Sequence, residues 1–333
     1  MSKGADIIKR IAGTLMLPVI MYIFMMIFCY ANGKMYFGTW LMWRSLIANI
    51  AISVSCAMGI GLQFKSGRFD FSGGAIMLLS AIIAGNVSKN NGNSVPIFLV
   101  LCIVCCVVFS VLVSLLYVYG RLPITIATIG MALLYESITS QLFGGGGVNL
   151  VATMSLKQFS AFPLVLVPFA GAVIVYAVYS YVSTSGKQAV LLANNQQAAV
   201  NIGINEKRNV IVSYVYSGLI FGFATIIYSS TAIRAASYSS LSTVGELFSN
   251  ILPVFVGLYI GAFCGDTIGI IMGSISICLM TFGLQAVLEA EMGSAVSTAM
   301  MGIFVLLVNL VAGQGKNIKK AFSKLFSGKA KTA

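Results

Sequence analysis

Histidine is absent from this 333-residue chain, and only 8 residues are acidic. Without histidine there is no imidazole base, no Ser-His-Asp or Cys-His site and no His-ligated metal or haem. Charge is scarce altogether: Asp, Glu, Lys and Arg make up 8% of the residues, against about 25% in a typical soluble chain. So few charges cannot cover a water-soluble surface, and the 59% apolar content points to a membrane protein. The net charge of +12 is scattered along apolar segments and the tail instead of forming a basic face, which excludes a nucleic-acid binder. The seven cysteines, Cys29, Cys56, Cys102, Cys105, Cys106, Cys264 and Cys278, lie in or at the edges of apolar runs. Cys102 and Cys105 form a C-x-x-C, but LCIVCC offers neither a polar setting nor further ligands. The cysteines read as packing residues, and neither metal nor cofactor is expected.

Long apolar runs are plentiful. A spanning helix needs roughly 20 mainly apolar residues. Breaking the chain at charged, Gly/Asn-rich or Pro-bearing points predicts ten: 14–31, 40–62, 71–87, 95–119, 122–143, 162–182, 210–232, 244–264, 267–287 and 292–312. No small-residue cleavage site follows Thr14–Ala31, so it reads as a retained helix, not a signal peptide. The apolar stretch 247–287 is too long for one helix, and Gly265-Asp266 is its natural break, Gly ending one helix and Asp capping the next. The expectation is an all-α, polytopic membrane protein with one domain over 1–313 and a basic tail over 314–333.

With a cytoplasmic N-terminus, 15 of the 20 basic residues fall on inner segments and 5 on outer ones. That asymmetry needs an even number of spans and predicts that both termini are cytoplasmic. The lysines from Lys316 to Lys331 then read as an anchor touching anionic lipid. The one long inner connection, 183–209, suggests a short helix at the cytoplasmic surface: a plain connector or a docking element for a partner. Outer loops 144–161 and 233–243, carrying Gly, Ser, Asn and Tyr, read as mouth-lining turns.

Few residues stand out chemically. Asp70, before the Gly73-Gly74 pair, reads as a helix cap, a broken-helix element near a pathway, or both. Asp266 reads as a cap. Glu136 lies well inside the 122–143 span, where a carboxylate costs about 2.5–3.5 kcal/mol on insertion scales. It must therefore face the bundle interior, a partner or water, as a pathway residue or in a structural hydrogen bond to another helix. Glu246 reads as a cap or mouth residue, and Glu289 and Glu291 as solvated loop charges or a docking point for an external protein. Gly257, Gly261, Gly269 and Gly273 form two small-residue faces for helix packing, within the chain or between subunits. No G-x-x-x-x-G-K-[ST] occurs, so the chain carries no ATPase of its own.

Four segments in order carry a family likeness: Gly67-Arg68-Phe69-Asp70-Phe71-Ser72-Gly73-Gly74; Leu122-Pro123-Ile124 through Thr128-Ile129-Gly130-Met131; Asn195 through Ala198-Ala199 to Gly203-Ile204-Asn205; and the glycine series from Gly257 to Gly269. Over roughly residues 45–312 the chain resembles the permease subunits of bacterial ABC importers of the ribose, xylose, galactose and autoinducer-2 group. It departs from their pattern at Ala193, Asn194 and Gln196, at Glu136, where the family usually has Arg, and in the Gly257 region, which lacks the paired glycines and Ser.

The resemblance implies a non-enzymatic transport subunit in a bacterial plasma membrane that moves a small polar, sugar-like solute by alternating access. Asp70, Ser72, Gly74, Thr128 and Glu136 would belong to the substrate pathway. Asn195, Ala198, Ala199, Gly203, Ile204 and Asn205 would couple to a cytoplasmic ATP-binding subunit. A second permease subunit and an extracellular or periplasmic solute-binding protein complete the implied assembly. An ion-coupled secondary transporter or channel is the alternative, weakened by having only Glu136 deep in the membrane. An intramembrane enzyme or a scaffold ranks third, since paired deep carboxylates are missing.

Overall fold

The computed structural model describes residues 3–238, 240–288, 296 and 299, without the side chains of the first few residues or of Glu246 and Phe248. Apart from Val296 and Ala299, the expected tenth span lies outside the described residues, as do the basic tail, Glu289, Glu291 and the Glu246 side chain. Among the described residues, twelve α-helices follow in order: α1 Lys3–Ala31, α2 Trp40–Lys65, α3 Gly73–Asn90, α4 Val95–Gly120, α5 Ile124–Gln141, α6 Met154–Lys157, α7 Leu166–Ala177, α8 Thr184–Asn194, α9 Gln196–Asn201, α10 Glu206–Thr231, α11 Ser242–Cys264 and α12 Asp266–Val287. Among the described residues the only β-pairing is an isolated antiparallel bridge between Val148 and Arg234.

Helix ends follow local chemistry. Thr39, Asn195 and Asn205 cap α2, α9 and α10, each accepting a hydrogen bond from a backbone N–H three residues on. Gly265, at φ 88°, separates α11 from α12 at the expected break, a conformation that costs glycine no Cβ clash. Asp266, however, is not a cap. Gly265 holds that position, and the Asp266 carboxylate in the first turn pairs with Lys65 at the end of α2.

Among the described residues, six helices can cross a membrane by length and composition: α1, α2, α4, α10, α11 and α12. A seventh is added if α7, its five-residue π-helical continuation and α8 count as one span bent by 68°. The expected spans at 71–87 and 122–143 correspond to α3 and α5. Each is only 18 residues long and ends in polar residues, which keeps both out of that group.

The centre of the bundle is α10, against which α2, α3, α4 and α7 pack. Gly218 and Gly222 let it approach α4 closely: a Cβ at either would crowd the backbone of Val107 or Ile103. At the α11–α12 hairpin, a Cβ on Gly257, Gly269 or Gly273 would collide with backbone of the facing helix, and one on Gly261 would crowd Asp266. The outermost helices expose apolar stripes, as on α4, where Val100, Val104, Val108, Leu112 and Leu116 face outward at four-residue spacing. Such a surface belongs against lipid.

Candidate solute cavity and the buried polar junctions

A cavity of about 580 Å³ lies in the half of the bundle near Arg234, between α2, α3, α10, α11 and α12. Pairs of polar side chains line it: Asn49 and Ser53 from α2, Tyr228 and Thr231 from α10, Ser249 and Asn250 from α11, Thr281 and Gln285 from α12. The α2 and α12 pairs are four residues apart, so one helical face presents both members. Ile52, Cys56, Met77, Ile277, Cys278 and Phe282 make the apolar part of the wall. A volume of this size suits a small-molecule site with a few polar groups on an apolar frame.

Arg234 is the charged group among the described lining residues. Its guanidinium carbon lies 3.4 Å from the centre of the Tyr228 ring, a cation–π stack. Its Nε and Nη2 donate to the Tyr228 carbonyl oxygen at 2.9 and 2.7 Å, and Nη2 also reaches Thr231 Oγ1 at 3.2 Å. On the other side of this stack lies a smaller cavity of about 210 Å³, lined by Tyr228 and Arg234 together with Ser237, Ser242 and Thr243. The turn expected to line a mouth, 233–243, thus supplies residues to one or both cavities.

Of the pathway residues singled out from sequence, Glu136 and Gly74 adjoin Thr243 of the smaller cavity, and most of the set is packed away. Glu136 is fully buried. Its carboxylate accepts from Leu241 N at 2.8 Å, Thr243 N at 2.9 Å and Thr243 Oγ1 at 2.6 Å, all at the start of α11. Gly74 reaches the same place from α3: a Cβ there would collide with the Thr243 carbonyl. Ser72 is the N-cap of α3, with Asp70 just ahead of it: Asp70 Oδ1 accepts from Ser72 N at 2.8 Å and Ser72 Oγ at 2.6 Å. Asp70 therefore holds the cap residue and is not itself the cap. Burial pushes its carboxyl up from the usual range, while Ser72, the nearby Tyr214 hydroxyl and Arg68 pull it down. Thr128 is buried and donates within α5 to the Thr125 carbonyl at 3.2 Å.

Toward the Lys65 end the interior is packed. Phe64 meets Phe69 and Phe255 edge-on at 5.6 and 5.1 Å between ring centres, and Phe69 meets Phe71 at 5.2 Å. Buried Arg68 donates to Ser213 Oγ at 2.9 Å and Gln63 Oε1 at 3.3 Å. A cavity at this end, lined by Leu62, Lys65, Tyr179 and Gly186 among others, measures only about 20 Å³.

The segment 183–209 folds as two short helices, α8 and α9, leading into α10. Asn195 Oδ1 accepts from Ala198 N at 3.0 Å and Asn205 Oδ1 from Arg208 N at 3.0 Å. Ala199 and Ile204 pack on Leu192 in a small core of their own. Gly203, at φ 93°, makes the turn between α9 and α10, and Ala198 is exposed. Val190, Leu191, Val200 and Ile202 project outward from this unit.

Apart from Arg234, which falls in the loop 233–243 read as lining a mouth, sequence reasoning singled out none of the polar residues of the large cavity. The available signal was spacing: Asn49 with Ser53 and Thr281 with Gln285 place amide and hydroxyl groups on one face of apolar spans.

The family described as branched-chain amino acid transport system / permease component matches residues 42–306. The galactose/methyl galactoside import permease protein MglC of Escherichia coli (strain K12) is 22% identical over 262 residues, 72% of this chain and 77% of that protein. The autoinducer 2 import system permease protein LsrC of Enterobacter sp. (strain 638) is 25% identical over 238 residues, 66% of this chain and 67% of its own. The fructose import permease protein FruG of Bifidobacterium longum (strain NCC 2705) is 23% identical over 328 residues, 91% of this chain and 94% of its own. No solved structure matches the chain. A helical bundle with apolar outer faces and a family match over residues 42–306 together establish that the chain belongs to the permease components of the branched-chain amino acid transport system type.

Proposed function

We propose that the chain is the membrane-spanning permease subunit of an ATP-driven importer for a small, uncharged, sugar-like solute. The cavity chemistry carries this reading. Among its described lining residues are hydroxyls, carboxamides and one guanidinium, with no carboxylate. Such a surface matches the hydroxyls of a sugar. The relatives named for galactose, methyl galactoside and fructose import support the same choice.

In this reading ten spans place both termini in the cytoplasm, so the Arg234 end faces outward and the Lys65 end inward. The large cavity is then the outward-accessible part of the path, and the Phe64, Phe69, Phe71 and Phe255 cluster closes the inner part. Asp70, Ser72 and Gly74 shape the wall between them. The exposed apolar side chains of the α8–α9 unit offer a surface to a cytoplasmic ATP-binding subunit, and an external binding protein delivers the solute. A second permease subunit completes the membrane-spanning part of this assembly.

The test is uptake of labelled galactose, fructose and leucine by cells with and without the gene. The expected result is loss of sugar uptake with leucine uptake retained, inhibition by orthovanadate and insensitivity to ionophores. Sugar uptake that collapses with an ionophore and ignores vanadate would replace the ATP-driven reading with an ion-coupled one. Loss of leucine uptake alone would overturn the solute class.

A further inference from the structure

Glu136 belongs to neither cavity wall, yet both walls depend on what it holds. Its two carboxylate oxygens take the backbone N–H of Leu241 and Thr243 and the Thr243 hydroxyl, within 2.6–2.9 Å. One turn along α5, Thr139 grips the same connection: its Oγ1 accepts from Ser237 N at 2.9 Å, and its single proton lies between the Glu136 carbonyl at 2.7 Å and the Ser237 carbonyl at 3.2 Å. The strand-like stretch before this grip is fixed separately, by the backbone pair Val148 and Arg234 at 2.8 and 2.9 Å. Between the two anchors run the Arg234–Ser237 residues that border the smaller cavity.

The backbone at the grip is strained. Leu241, immediately before α11, sits at φ 56° and ψ 26°, a left-handed conformation in which a branched side chain crowds the backbone. The N–H of this residue is the one bound to Glu136 Oε2. A carboxylate suits the task because it only accepts, so two converging N–H groups and a hydroxyl all meet a lone pair. Beyond Leu241, Ser242 and Thr243 border the smaller cavity, and Ser249 and Asn250, about two turns on, line the larger.

We propose that Glu136 is a positioning residue for solute passage. Without touching the solute, it holds Leu241 in its strained conformation and so sets where the first turns of α11 stand on the two cavity walls. The inference rests on the proposed reading of these cavities as the solute path.

Cys278, on the α12 wall of the larger cavity, is the reporter. In intact cells carrying the complete importer, the rate at which a cationic, membrane-impermeant methanethiosulfonate reagent labels Cys278 is measured, with Cys278→Ser assigning the signal. Gln keeps one acceptor but turns an amide donor on the N–H groups, so Glu136→Gln is expected to raise the rate about threefold, Glu136→Ala about tenfold and Thr139→Val less than either, on the scale of the hydrogen bonds lost. Glycine adopts the left-handed conformation without strain, so adding Leu241→Gly to Glu136→Gln should return the rate toward that of the unmodified protein.

General loosening of the bundle would instead expose buried Cys102 and Cys106 in parallel and would not be reversed by a glycine. An unchanged Cys278 rate in the Glu136 variants, or an equal rise at all three cysteines, overturns the proposal. If the Glu136 variants do not reach the membrane, Thr139→Val decides: a faster Cys278 rate supports the positioning role, and an unchanged one overturns it. Failure of the solute-path reading shows separately, because saturating galactose and fructose would then leave Cys278 labelling of the unmodified protein unslowed whatever Glu136 does.

Discussion

Glu136 and Asp266 each place a carboxylate at the start of a helix, at opposite ends of the bundle, and each is satisfied differently. Asp266 lies in the first turn of its own helix with its side chain 33% exposed, and a lysine from α2, itself 25% exposed, supplies a counter-charge shared with solvent. Glu136 is fully buried, reaches the start of a foreign helix, and takes two backbone N–H groups and a hydroxyl. The positive end of the helix dipole and orphan N–H donors let α11 accept a buried anion without any described cation beside it. Burial decides what each contact contributes. A half-wet ion pair contributes about 0–1 kcal/mol, whereas three donors left unpaired in a dry interior cost far more.

Four changes test that contrast, the largest effect first. Gly74→Leu drives a side chain into the Thr243 carbonyl at the point where α3, α5 and α11 meet, and should cost about 3 kcal/mol, the upper range for overpacking. Thermal unfolding in detergent reads it, and an unshifted transition would mean the three helices do not meet so closely. Glu136→Ala should cost about 2–3 kcal/mol by stranding its donors, measured in the same way. An effect no greater than that of Asp266→Ala would erase the distinction between the two carboxylates.

Gln285→Ala, in the cavity wall, should leave unfolding unchanged while weakening sugar uptake two- to tenfold, about the net worth of one hydrogen bond. A drop in stability with unaltered half-saturation would make Gln285 a packing residue. Lys65→Ala should lower stability by less than about 1 kcal/mol, and added salt should mimic it in the unmodified protein, because partly exposed pairs are screened. A larger, salt-independent loss would show that this pair is drier than its exposure indicates.

Much of the architecture was legible in advance. The apolar runs are long, and their ends carry chemistry that stops helices, so helices stand at each of the nine expected spans that the described residues cover. The Gly265 break was readable because only glycine holds that backbone without strain. The number of helices able to cross a membrane alone was less so, since α3 and α5 are short and polar at one end. The site was much less legible. Glu136 could be recognised as needing a partner, but its partner is 105 residues away in sequence. Asp70 could be recognised as belonging to a helix start, but not that it would hold Ser72 and leave the cap position to it.

The sequence by itself determined that the chain lives among lipid, because 28 charged residues in 333 cannot make a wet surface. It also determined where the helices run and, through the glycines of α10, α11 and α12, where backbones can touch. Only the tertiary structure decided which neutral polar side chains share a cavity, and which carboxylate holds a neighbouring helix rather than facing it. Composition and periodicity act along a single segment, so they are written into each stretch of chain. A cavity is the space left where five helices fail to fill the volume between them, and its lining is fixed only when those helices have taken their rotations against one another.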